Sequence, residues 1–172
     1  MIPVYKTILY ATDLSSTSAH SFRHAVAMAR RFRAKVYVLH VLPEVEPAVL
    51  NYIATVMGQE RLTDLELGHK DEVLDRIRLQ LHQFAKLELA DHPEDVERIA
   101  AIEVHHGHPV ARILEKADRI DADLILLGSH GKGRLKYAFL GSVVEKVLRK
   151  SHRPVLVVPP GVERSDPNPV KT

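Results

Sequence analysis

Half of the chain's eight glycines stand in one short stretch, Gly128-Ser-His-Gly-Lys-Gly-Arg-Leu-Lys-Tyr-Ala-Phe-Leu-Gly-Ser142. His130, Lys132, Arg134 and Lys136 stand among them, and no Asp or Glu occurs from Leu124 to Val144. Glycine is costly to order and is used where the backbone must take positive φ or lie against a ligand. Glycines interleaved with basic side chains point to an anion held by main-chain N–H groups, phosphate above all. Each residue also has a plain structural use. Gly128 can end a strand, Gly131 and Gly133 can form a turn, and Ser142 can cap a helix, with Ser142-Val-Val-Glu145 fitting a capping box. Their joint position, between an apolar run and a helical pattern, favours the anion.

Two further sites carry chemistry-bearing side chains. Asp13 follows the first apolar run in Ala11-Thr-Asp-Leu-Ser15. A carboxylate at such a place can accept hydrogen bonds from ribose hydroxyls or an adenine amino group, or cap the following helix. His105-His-Gly-His108 matches the H-x-G-H sequence of nucleotidyltransferases, but it follows the third apolar run rather than the first and has no K-M-S-K-S-like partner. With Glu103 these histidines could also be drawn as a metal site, yet no distant ligand set accompanies them, and a solvated strand end is the preferred reading. The phosphate loop G-x4-G-K-S/T is absent, and Gly131-Lys-Gly133 does not continue as G-x-G-x-x-G.

These residues serve one site only if the fold brings them together. Five β-rich runs occur at Lys6–Thr12, Lys35–Leu42, Ile99–His105, Ala122–Leu127 and Pro154–Val158. Their near-continuous apolar character suits strands covered on both faces. Between them lie helical patterns: Ala19, Phe22, Val26 and Ala29 behind the cap-rich Asp13–Ser18; Leu74, Ile77, Leu81 and Phe84; Val110, Ile113, Leu114 and Ala117 behind Pro109; and Val144, Val147 and Leu148. Strands alternating with helices predict a doubly wound α/β domain. It is expected to occupy residues 1–160, with 43–98 as an extended helical crossover and 161–172 as a disordered tail. The apolar Ala48–Met57 is expected to pack on the domain or on a partner subunit rather than act as a lid.

Bulk properties narrow the function. A net charge of +2 over 172 residues is too small to call for nucleic acid. The absence of cysteine excludes disulfides, thiolate catalysis and Cys-ligated metals, and it fits the cytoplasm. No uncharged apolar run approaches the ~18 residues of a membrane span, and Met1–Asp13 does not read as a signal peptide. A soluble cytoplasmic protein is expected.

Gly128-x2-Gly131-x9-Gly141-Ser142 resembles, without a gap, the G-x2-G-x9-G-S/T signature of the nucleotide-binding universal stress proteins. The similarity runs from Lys6–Asp13 to Arg153–Pro159. The resemblance implies a Rossmann-like open twisted parallel sheet of five strands, order 3-2-1-4-5, with helices on both faces. It implies that Asp13 holds the adenosine end of ATP (or AMP or ADP), with Ala11 and Thr12 on the same edge and the backbone of Val41 against adenine. Gly107, in Gly107-His-Pro109, would turn beside the nucleotide. Gly128, Gly131 and Gly141 would admit the phosphates, Ser142 and Val143 would bind them, and Ser129, His130 and Gly133 complete the set. A homodimer through Pro154–Val158 is implied, and a triphosphate would bring a divalent ion, Mg2+ or Mn2+, with Asp13 its nearest ligand. The expected role is a nucleotide-dependent sensor read by a protein partner. The alternative is a slow ATP hydrolase or a nucleotidyl or phosphoryl transferase in the same pocket; no acid is placed to activate water, so efficient turnover is not expected.

Overall fold

In a computed structural model describing residues 1–58, 70–129 and 140–161, five strands form a parallel sheet in the order β3-β2-β1-β4-β5. The strands are β1 (Thr7–Thr12), β2 (Lys35–Leu42), β3 (Ile99–His106), β4 (Leu124–Gly128) and β5 (Val155–Val158). The helices are α1 (Ser18–Phe32), α2 (Pro47–Met57), α3 (Lys70–Glu88), α4 (Pro109–Arg119) and α5 (Ser142–Lys150), with a short 3-10 helix at Pro93–Arg98. Fold, strand order and helices on both faces are those anticipated from the sequence. The tail expected to be disordered lies, from residue 162, outside the described residues.

Successive side chains of a strand point to opposite faces, so each apolar run feeds two cores. Ile8 and Tyr10, with Val36, Val38, Leu124 and Leu126, pack under Phe22, Ala25, Val26 and Ala29 of α1 and under Leu81 and Ala85 of α3. Leu9 and Ala11, with Leu39, Val41, Ile125 and Leu127, pack against Val110, Ile113 and Ala117 of α4 and Val144 and Val147 of α5. Burying each large aliphatic side chain contributes about 1.5–3 kcal/mol. Two-sided burial is why these strands are predominantly apolar rather than alternating.

Polar groups fix how the strands start and how the long crossover returns. The Asp123 carboxylate accepts hydrogen bonds from the amides of Lys6 (2.7 Å) and Thr7 (2.9 Å), locking β1 against β4 at the end remote from the glycine segment. In the 3-10 helix, Asp95 is 1% exposed and is held between Arg30 of α1 and Arg98. These arginines hold its carboxyl below the usual carboxylate range, Arg30 most strongly, against the opposing effect of burial.

Two expectations shift. Gly128 is the last residue of β4, paired with Val158, rather than the first residue after the strand, because the ladder to β5 continues through it to Ser129, whose amide donates to Val158 O at 2.8 Å. Pro154 precedes β5; having no N–H, it joins the ladder only as an acceptor, taking the Ile125 amide at 3.0 Å. The apolar 48–57 stretch, expected to pack on the domain or on a partner subunit, is helical, with Val49, Tyr52 and Val56 47%, 71% and 66% exposed on this chain.

Candidate functional site

All five strands run the same way, so their carboxyl ends share one edge, and the direction of winding reverses between β1 and β4. A crevice opens at such a reversal. Asp13 follows β1 there, and Gly128 and Ser129 close β4 there, since Ala11 is registered with Leu127. On the other side of β1, Ala11 is registered with Leu39 and Thr12 with His40, which brings Val41 to the same level. Ala11 and Val41 both belong to the α4–α5 core, at 8% and 9% exposure, so they floor the crevice on that face.

The helix starts supply its positive character. The N-cap of α5 is Gly141, with no side-chain capping bond, so the expected box from Ser142 to Glu145 is not formed. Ser142 is already the first helical residue, one position too late to cap, and Glu145 turns instead to Arg149. The first amide to find its partner within the helix is that of Glu145, donating to Gly141 O at 2.9 Å. Among the described residues the amides of Ser142, Val143 and Val144 have no acceptor, as at a helix start, with about half a positive charge behind them. The Gly141 amide donates to Ser129 O at 2.9 Å, which brings α5 directly against the end of β4. His130, Gly131 and Gly133, with the rest of 130–139, lie outside the described residues.

Helix α4 starts on the same edge. Pro109 opens it after His108, as its fixed φ favours. Gly107 is buried at φ 134°, a conformation that L side chains avoid, and its amide donates to Leu42 O at 3.0 Å. A Cβ there would stand 2.8 Å from Nε of Arg112, which itself donates to His106 O at 3.0 Å. Gly107 therefore sits beside the strand ends.

Asp13 does not cap α1. The N-cap there is Thr17, without a side-chain bond, and the helix begins at Ser18. The Asp13 Oδ1 instead accepts the Ser15 amide at 3.0 Å, a local turn that holds the carboxylate beside the crevice. Around it, Leu14 takes φ 58°, its amide donates to Thr12 Oγ1 at 3.1 Å, and the Thr12 hydroxyl donates to Ser18 Oγ at 3.1 Å. Below, the buried Tyr10 hydroxyl donates to Ser18 O at 2.9 Å, and burial pushes its pKa up.

The sequence reading overlooked His40. It lies on β2, 5% exposed, with Nδ1 2.7 Å from the carbonyl oxygen of Thr12. The available signal was a histidine inside an otherwise apolar strand, since a buried polar side chain requires a partner.

Around His105 and His106 at the end of β3 and His108 after it, as elsewhere among the described residues, no group of three or more potential metal ligands occurs. His105 Nε2 lies 2.8 Å from Glu103 Oε2, while Lys116 of α4 donates to Glu103 Oε1 at 2.6 Å. Burial raises the Glu103 pKa, but the hydrogen bonds from Lys116 and His105 outweigh it, and the carboxyl lies below its ordinary value. A small apolar cleft of about 180 Å³ between α3 and the start of β3 is at the wrong end of the sheet for this crevice. No helix among the described residues is long and apolar enough to cross a membrane.

An open doubly wound sheet with a helix start at its switch point is the arrangement in which α/β proteins bind anionic ligands at the strand ends. The chain belongs to the universal stress protein family, whose family profile matches residues 4–159. It is 33% identical over 162 residues to universal stress protein MJ0577 of Methanocaldococcus jannaschii, covering 92% of this chain and 97% of that one. The solved structure of MJ0577 superposes with a TM-score of 0.68 at 31% identity, covering 93% of this chain and 99% of that one. A universal stress protein solved in complex with cAMP shares the fold, with a TM-score of 0.56 at 23% identity, over 92% of this chain and 100% of that one.

Proposed function

We propose that the protein binds ATP, or ADP or AMP, at the carboxyl edge of its sheet and acts as a nucleotide-dependent sensor in stress response. The observation that carries this reading is the start of α5: three first-turn amides without a side-chain cap, set against Gly128 and Ser129 at the switch point. Phosphates are held by Gly128, Ser129, Gly141, Ser142 and Val143, together with His130, Gly131 and Gly133 of the intervening segment. The adenosine end lies over Ala11 and Val41, with Gly107 beside it and the Asp13 carboxylate, next to Thr12, accepting from ribose or base. With a triphosphate, Mg2+ or Mn2+ neutralises the phosphate charge, and Asp13 is the carboxylate proposed to meet it. The protein works in the cytoplasm as a homodimer paired through 154–158, an edge that such pairing protects, and a protein partner reads the occupied state.

Mass spectrometry of the denatured, freshly purified protein tests the reading, with an adenine nucleotide near one equivalent as the expected result. Calorimetry with ATP, ADP, AMP and cAMP ranks the ligands; the family relative solved with cAMP is the reason to include the last. No heat with any of the four, and no co-purified nucleotide, would overturn the proposal. ADP release beyond one turnover that is lost in Asp13→Ala would replace the sensor with a hydrolase.

A further inference from the structure

We propose that His40 is a positioning residue for the adenosine half of the site, an inference that rests on the nucleotide-binding reading. A carbonyl oxygen can only accept, so the 2.7 Å contact with Thr12 O requires the proton on Nδ1 of the buried imidazole. The accepting carbonyl belongs to the peptide unit that joins Thr12 to Asp13. Because that unit is planar, anchoring its oxygen also sets the direction in which the chain enters Asp13.

The turn needs such an anchor. Leu14 is held at φ 58°, a left-handed conformation that a branched side chain adopts only when its surroundings over-determine it. Thr12 Oγ1 holds the Leu14 amide and Asp13 Oδ1 holds the Ser15 amide. Both bonds lie within the turn and move with it. His40 alone among these three ties the turn to a neighbouring strand, across the register in which Thr12 faces His40. It thereby transmits the rigidity of the sheet to Asp13, whose Oδ2 makes no hydrogen bond among the described residues and is the oxygen left for a ligand.

The test compares His40→Leu, His40→Asn and His40→Gln, titrated with ATP, adenosine and inorganic tripolyphosphate. Asparagine places its Nδ2 where the imidazole carries Nδ1, leucine removes the donor, and glutamine displaces it. His40→Leu and His40→Gln are expected to weaken ATP and adenosine by about tenfold, the scale of one lost hydrogen bond, with tripolyphosphate unchanged; His40→Asn recovers most of the loss. In the Asp13→Ala background, His40→Leu is expected to weaken adenosine no further. A purely structural role would weaken all three ligands alike, or make asparagine no better than glutamine, and either result overturns the proposal. If leucine does not fold, the asparagine–glutamine comparison decides. Wild-type protein that binds none of the three ligands defeats the nucleotide reading itself, whereas wild-type binding without the adenosine-selective loss defeats only the role of His40.

Discussion

The main-chain amide of Gly141 donates to the carbonyl of Ser129 at 2.9 Å, so the two ends of the glycine segment meet beside the last strand. Gly141 itself has φ −59° and ψ 148°, which any residue can adopt. Its value as glycine therefore lies in what approaches it, not in its backbone. Gly141→Val is expected to keep the wild-type melting temperature within about 2 °C, since surface changes without strain cost little. ATP affinity is expected to fall at least about tenfold, read by calorimetry on the same sample.

Gly107 is the opposite case, since φ 134° is forbidding to a side chain whatever the space around it. Gly107→Ala is expected to cost about 1–3 kcal/mol in urea unfolding. Trimming the neighbouring Arg112 to alanine in the same chain removes the 2.8 Å contact but leaves the backbone strain, so it should recover only part of the loss.

Asp95 lies between Arg30 and Arg98, and its carboxyl titrates below the ordinary value. A depressed folded pKa gives stability that is present above the unfolded value near 3.8 and disappears as pH falls through the folded value. Asp95→Asn is expected to melt roughly 5 °C lower than wild type at neutral pH. The difference should shrink as pH drops below about 4, and thermal melts from pH 7 to pH 2 read both effects.

Glu103 makes a sharper electrostatic test because its causes oppose one another. Burial raises its pKa, and the bonds from Lys116 and His105 bring it below the usual value. Lys116→Met removes the first of these donors, together with the ammonium that lies 5.6 Å from the Tyr37 ring centroid, and keeps an unbranched side chain of similar length. The Glu103 carboxyl should then titrate higher than in wild type, as followed by carbon-13 NMR.

The sheet was legible because its signals are local and repeated. Val36–Leu42 and Leu124–Leu127 are almost wholly apolar, Pro109 marks a helix start, and the alternation of strand and helix leaves few topologies. The chemistry-bearing edge was legible through Asp13, Gly107, Gly128 and Gly141, each of which ends or follows a strand or precedes a helix. What escaped depends on contacts distant in sequence or on a single residue of register. His40 looked like one polar interruption in β2, and its partner lies 28 residues earlier. Ser142 and Glu145 satisfy the capping pattern, but the helix begins one residue early for it, at Ser142 itself. The role of Gly128 depended on how far Val158 extends the ladder, which composition does not encode.

A recognition surface formed by peptide N–H groups is almost silent to alanine scanning, because alanine presents the same donor as the residue it replaces. On the proposed reading the start of α5 is such a surface, and its sequence can drift while its electrostatics persist. Proline is the substitution that addresses it. Ser142 is the first residue of the helix, and Gly141 before it is already extended, which is the backbone geometry proline demands of its predecessor. Ser142→Pro therefore deletes a single donor from an otherwise intact helix, and its effect on ATP affinity measures what one backbone amide contributes to holding the ligand.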